Sequence, residues 1–153
     1  KAQLNRNLML FFTGFSRFSS DIQKTTQKDM ADKERQLLEM LSLVDEAERV
    51  LTTKTDLNEF GRLLDYTWKL KRGISSGIST DSIDGLYAKG IEAGALGGKL
   101  LGAGGGGFLL FYVEEDKREA VAKAMEDLLY VPFQFENSGT RVIHYTAEMY
   151  EKR

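Results

Sequence analysis

Four consecutive glycines, Gly104 to Gly107, run without a break into six apolar and aromatic residues, Phe108 to Val113. Six such residues are too few for a helix and favour a strand, so a tight glycine loop must feed a buried strand. The wider stretch from Gly97 to Val113 holds seven of the chain's 15 glycines. Without side chains, the backbone N–H groups of such a loop can come close to a phosphate or another anion. A glycine run also serves as a plain turn between strands, and only its surroundings decide between the two.

Three glycine patterns with known mechanics do not fit. Gly102, Gly104 and Gly107 spell G-x-G-x-x-G, but the dinucleotide fingerprint opens a helix and here a strand follows. The protein-kinase glycine loop needs a V-A-I-K lysine, H-R-D and D-F-G downstream, none of which occurs. The phosphate loop G-x-x-x-x-G-K-[ST] fails because Leu100 follows Lys99 and Ala93 stands where the first glycine should be.

Leu8 to Thr13 is apolar on both alternating faces and reads as a central strand. Thr13 to Ser20, which includes Gly14 and Arg17, then supplies hydroxyls, a guanidinium and a helix start, as a polar-ligand site or simply as a cap. From Ala31 to Thr52, Leu37, Leu41, Val44, Ala47 and Leu51 recur at helical spacing, with Met40 and Val50 beside them. Asp56 and Glu59 resemble a capping box ahead of a second helix to about Lys71, with Trp68 placed in the core. A third helix starts near Ser79 to Ser82 and ends at Gly94, just before the glycine stretch.

After the Phe108 strand, Glu115 and Asp116 open a helix whose stripe runs through Val121, Ala122, Met125, Leu128 and Leu129. Val131 to Glu136 alternates as a strand, Asn137-Ser138-Gly139 turns, and Arg141 to Thr146 completes a hairpin. This order predicts an α+β fold, a ferredoxin-like βαββαβ sheet with extra helices in the first crossover. The first and third strands of such a sheet are central, and they are the two that are apolar on both faces. One of those faces needs cover from elsewhere, which points to a partner domain.

At 153 residues with 42% apolar and 29% charged residues, the chain suits one soluble domain. Its 21 basic and 23 acidic residues form no long block of one sign, so neither nucleic acid nor a membrane is expected as a partner. The absence of cysteine excludes disulfides and thiolate chemistry and agrees with a cytoplasmic home. His144, the sole histidine, has no companions for a metal and is expected to be structural, so no metal site is expected in this chain. The chain opens at Lys1 and enters an apolar strand almost at once, as expected of a piece of a longer protein.

Gly97-Gly98-Lys99-Leu100-Leu101-Gly102-Ala103-Gly104-Gly105-Gly106-Gly107-Phe108 resembles the third, C-terminal motif of the GHMP small-molecule kinases. Phe12-Thr13-Gly14 with Arg17, Trp68 with Lys71-Arg72, Ile78-Ser79, Ile83-Asp84 and Gly94-Ala95 extend the resemblance over nearly the whole chain. Within that family the fuller set is most similar to the heptose-phosphate kinases, and the kinase domain of L-fucokinases carries a similar glycine motif.

The resemblance implies that residues 1–153 form the C-terminal half of an ATP-dependent sugar kinase acting on a sugar or sugar phosphate. The favoured acceptor is the anomeric hydroxyl of D-glycero-D-manno-heptose 7-phosphate, with fucokinase-like or galactokinase-like activity as the alternative. It further implies that ATP and Mg²⁺ are bound mainly by an N-terminal half, so the catalytic residues lie outside this chain and the fragment alone is inactive. Lys99, Gly102, Ala103, Gly104, Gly105, Gly106 and Gly107 are then the phosphate and substrate loop, and Thr13 and Arg17 line the acceptor site. A reading from another class also stands at this stage, a non-catalytic module that binds an anion or a protein partner.

Overall fold

The computed structural model describes residues 1–14, 33–53, 55–75, 77–102, 104–142 and 144–145. In chain order the elements are α1 (Ala2–Asn7), β1 (Leu8–Phe12), α2 (Glu34–Thr52), α3 (Asn58–Arg72), α4 (Asp81–Glu92), β2 (Ala95–Leu100) and β3 (Phe108–Val113). A 3₁₀ turn (Glu115–Lys117), α5 (Arg118–Ala124) and β4 (Leu129–Tyr130) complete them. The sheet order is β2-β3-β1-β4, with every pair antiparallel. This is the expected ferredoxin-like α+β arrangement, with β1 and β3 central.

The register places Met9 opposite Phe111 and Phe11 opposite Leu109. Those four side chains are nearly or fully buried and join Trp68, Ile83, Tyr87 and Val121 in one core. The stacking of Tyr87 on Phe111, with ring centroids 5.8 Å apart, ties α4 to the sheet. On the opposite face, Leu8 and Tyr112 are buried, whereas Leu10, Phe12 and Leu110 are partly covered and Phe108 is exposed. The expected uncovered face is therefore confined to the end of the sheet nearest the glycine loop.

Two helices approach the sheet where side chains are missing. A Cβ on Gly97 would sit 1.9 Å from the Gly61 carbonyl oxygen, so α3 lies against the backbone of β2. A Cβ on Gly90 would sit 2.5 Å from the Phe111 ring, so α4 lies close against that β3 side chain. The helix starts follow the sequence closely. Thr80 accepts the Ile83 N–H as the cap of α4, and an Asp56 carboxylate oxygen accepts the Asn58 N–H ahead of α3. The capping box is not closed, because Glu59 pairs with Arg62 instead.

Several expectations are corrected. Helix α1 was not foreseen, and the second strand lies inside the glycine stretch, with Gly97 and Gly98 as strand residues. On α2 the buried line passes through Val50, while Leu41, Val44 and Leu51 are exposed. The helix carries more apolar residues than one face holds, and spacing alone cannot choose among them. Helix α5 ends at Ala124, so Leu129 belongs to β4 and is exposed.

No strand forms among described residues 131–145, where a hairpin was expected and where His144 is exposed. The Val131 N–H still donates to the Leu10 carbonyl, but Pro132 has no N–H to continue the ladder. Asn5 of α1 replaces it: its amide nitrogen donates to the Phe133 carbonyl at 3.4 Å and its oxygen accepts the Phe135 N–H at 3.1 Å. The Arg118 guanidinium occupies the edge of β1 beyond that point. It donates to the carbonyls of Arg6 and Leu8 and to the Tyr130 hydroxyl.

Candidate functional site

The loop between β2 and β3 is closed at its base by the Leu101 N–H donating to the Phe108 carbonyl at 2.8 Å. Above that bond, Gly102, Gly104, Gly105 and Gly107 have φ of +89°, +119°, +72° and +110°, in the left-handed region that side chains disfavour. Gly104 is constrained twice, because a Cβ there would also lie 2.7 Å from the Ile78 Cα and carbonyl oxygen.

Three other elements hold the loop. The Thr13 hydroxyl accepts the Gly107 N–H at 3.1 Å and is 3.0 Å from the Gly107 carbonyl, which also accepts the Thr13 N–H at 2.9 Å. The Gly105 N–H donates to the Ile78 carbonyl at 3.0 Å. Ile78 belongs to the α3–α4 connection, which is braced by Arg72 and Ser79, both 2.7 Å from an Asp84 carboxylate oxygen. The Lys71 ammonium, at the end of α3, donates to the Gly102 carbonyl at 2.8 Å.

The N–H groups thus alternate. Those of Gly105 and Gly107 are used by the protein, and those of Gly104 and Gly106 have no acceptor among the described residues. Unpaired donors on a loop with two lysines beside it suit an oxyanion. Burial lowers the Lys71 pKa below the usual lysine range, and the positive charge of Lys99 adds to the effect.

Of the residues singled out from sequence, Gly102 and Gly104 to Gly107 form this loop and Thr13 is tied to it at Gly107, Lys99 stands before it on β2 opposite Leu110, and Ala103 and Arg17 lie outside the described residues. The part played by Thr13 is visible as a tie between β1 and the loop. Sequence reasoning gave no role to Lys71 or to the Ile78 carbonyl. The sequence signal for Lys71 was its place in the Lys71-Arg72 pair that carries the resemblance; in the structure its neighbours Lys69 and Arg72 pair with Asp65 and Asp84, and it has no carboxylate partner among the described residues. Among those residues no group of three or more His, Asp or Glu could hold a metal ion. A cavity of about 580 Å³ lies elsewhere, beside Leu4, Val50 and Phe135, and includes no loop residue.

An antiparallel four-stranded sheet with a braced glycine loop between its second and third strands defines a ferredoxin-like α+β domain. The family pattern described as GHMP kinases C terminal matches residues 43–131, more than half of the chain, and the chain belongs to that family. It is 29% identical over 144 residues to D-glycero-alpha-D-manno-heptose 7-phosphate kinase of Campylobacter jejuni, covering 92% of this chain and 42% of that one. It is 40% identical over 63 residues to L-fucokinase/L-fucose-1-P guanylyltransferase of Bacteroides fragilis, covering 41% of this chain and 6% of the relative. Among solved structures, mevalonate kinase of Methanococcus jannaschii superposes with a TM-score of 0.68 at 25% identity, over 81% of this chain and 37% of that one. The chain spans less than half the length of these relatives.

Proposed function

We propose that residues 1–153 are the C-terminal half of an ATP-dependent sugar kinase whose acceptor is the anomeric hydroxyl of D-glycero-D-manno-heptose 7-phosphate. The observation that carries this reading is the loop itself, braced from β1, α3 and the α3–α4 connection, with the Gly104 and Gly106 N–H groups left without acceptors among the described residues. Phosphoryl transfer needs little covalent chemistry from the protein and depends on positioning and on donors aimed at oxygens that gain charge. A rigid loop with spare donors supplies that without reorganising. Similarity to the heptose kinase over 92% of the chain supports the choice of sugar.

ATP and Mg²⁺ belong, on this reading, to an N-terminal half, as the resemblance to the GHMP kinases implies. That half also covers the open end of the sheet at Phe12 and Phe108, and the enzyme works in the cytoplasm. Among the described residues no helix is long and apolar enough to cross a membrane.

Arg17 is assigned to the acceptor's own phosphate, because its planar fork suits that group. The test is a coupled assay of the full-length protein against a panel of heptose 7-phosphate, L-fucose, galactose and mevalonate. ADP release dependent on the heptose phosphate is expected. A preference for L-fucose would establish the second reading, which the 63-residue match favours. No sugar-dependent ADP release would overturn both.

A further inference from the structure

One carboxylate oxygen, Asp84 Oδ1, holds the two residues that stand beside the loop's anchors. It accepts a hydrogen bond from the Arg72 guanidinium and another from the Ser79 hydroxyl, each at 2.7 Å. Arg72 follows Lys71, whose ammonium donates to the Gly102 carbonyl at 2.8 Å, and Ser79 follows Ile78, whose carbonyl accepts the Gly105 N–H at 3.0 Å. Each tie from the helices to the loop thus lies one residue from a partner of Asp84. Stability does not account for this placement. The Arg72 and Asp84 side chains are 35% and 43% exposed, and an ion pair so open to water contributes little to folding. The start of α4 is already fixed by the Thr80 cap and by Ile83 in the core. What Asp84 adds is geometry, because it joins the last residue of α3 to the first turn of α4 across the connection that contains Ile78.

We infer that Asp84 is a positioning residue for phosphoryl transfer. Through Ser79 it sets the direction of the Ile78 carbonyl and hence the place of Gly105, and through Arg72 it sets the end of α3 and hence the reach of Lys71 to Gly102. The inference rests on the functional reading above and extends it to a residue outside the loop. Gly104, between the two ties, packs so closely on Ile78 that a methyl group would not fit, so a shift of Ile78 passes directly to the loop backbone. A misplacement of about 1 Å costs a reaction of this kind on the order of 100-fold in rate.

The experiment pairs NMR on this chain with kinetics on the full-length protein. Asp84→Ala should shift both the Gly105 amide and the Gly102 carbonyl signals, while the Gly107 amide, tied to Thr13 after β1, stays in place. Ser79→Ala should move Gly105 alone, Arg72→Met should move Gly102 alone, and Ser79→Thr, which keeps the hydroxyl, should leave Gly105 near its wild-type position. The melting temperature should fall by less than about 4 °C in each variant. With heptose 7-phosphate, or whichever sugar of the panel is accepted, Asp84→Ala should lower kcat about 10- to 100-fold and change KM little, the pattern of lost positioning rather than lost binding. Asp84→Asn keeps one acceptor oxygen, should show the same pattern at smaller amplitude, and decides the matter if Asp84→Ala does not fold. Unmoved Gly105 and Gly102 signals, a Gly107 signal that moves as far as theirs, or an unchanged kcat would overturn the positioning role. A wild-type protein without sugar-dependent turnover, in which the NMR pattern still holds, would instead overturn the kinase reading and leave the link from Asp84 to the loop standing.

Discussion

Gly104 shows how much of the loop is fixed by single residues. With φ at +119° and a Cβ position 2.7 Å from the Ile78 backbone, Gly104→Ala must strain its own dihedral and push the α3–α4 connection away. Strain of this kind costs about 1–3 kcal/mol, which lowers the melting temperature by roughly 2–4 °C per kcal/mol at this chain length. An unchanged melt by differential scanning calorimetry would contradict the loop geometry. If Arg17 meets the acceptor's phosphate as proposed, Arg17→Ala in the full-length protein removes a contact worth about 1.5–3 kcal/mol, and kcat/KM for a heptose phosphate should fall roughly 10- to 150-fold. An unphosphorylated sugar should lose less, and equal losses on both would show that Arg17 does not meet the phosphate.

Lys71 adds a pH dependence whose sign follows from its environment. Its folded pKa lies below the unfolded value because of burial and the Lys99 charge. Across the window from that lowered value up to the ordinary lysine range the unfolded chain binds more protons, so stability from this group rises with pH. Lys69 and Arg72, the other cations nearby, are held by Asp65 and Asp84. The difference in unfolding free energy between wild type and Lys71→Met, measured by urea titration at several alkaline pH values, should therefore move in favour of wild type as pH rises. A difference that moves the other way would refute the assignment.

At the scale of elements, α4 carries a built-in comparison. Gly85 is exposed and a Cβ there meets nothing within 4 Å, so Gly85→Ala should stabilise by about 0.4–1 kcal/mol through the unfolded state and helix propensity. A Cβ on Gly90, five residues further on, would sit 2.5 Å from the Phe111 ring, and Gly90→Ala should destabilise by about 1–3 kcal/mol as overpacking. Denaturant midpoints of the two variants should move in opposite directions.

The same elements explain what the sequence could reveal. The central strands were legible because Met9, Phe11, Leu109 and Phe111 alternate with apolar residues on the other face. The start of α4 was legible because Thr80 caps it, and that of α3 was marked by Asp56, one residue ahead of the Leu57 N-cap. The closing strand was not, since the alternation of Val131, Phe133 and Phe135 imitates pairing that Pro132 and the Asn5 side chain replace. For the site, composition marked the loop, but which of its N–H groups remain available depends on Ile78 and Thr13, which lie far from it in sequence.

At the scale of the whole molecule, the proposal assigns this chain only the closing half of an active site. The purified chain should therefore show no sugar-dependent ADP release in a coupled assay, and any such turnover would refute the division of labour. Its open sheet face, with Phe12 and Phe108 rings 5.2 Å apart, is the part that such a partner half must meet.

The guanidinium of Arg118 has a consequence of a different kind. A sheet grows at whichever edge offers unpaired carbonyls and N–H groups, and an edge left bare recruits other chains. One edge here, β2, is approached by α3 along glycines that let a helix lie on a strand's backbone. The other is two residues of β4, followed by a proline, and the carbonyl of Leu8 that β4 never reaches is taken by a positive charge. Arg118 thus holds, at that edge, a carbonyl to which any added strand would have to donate.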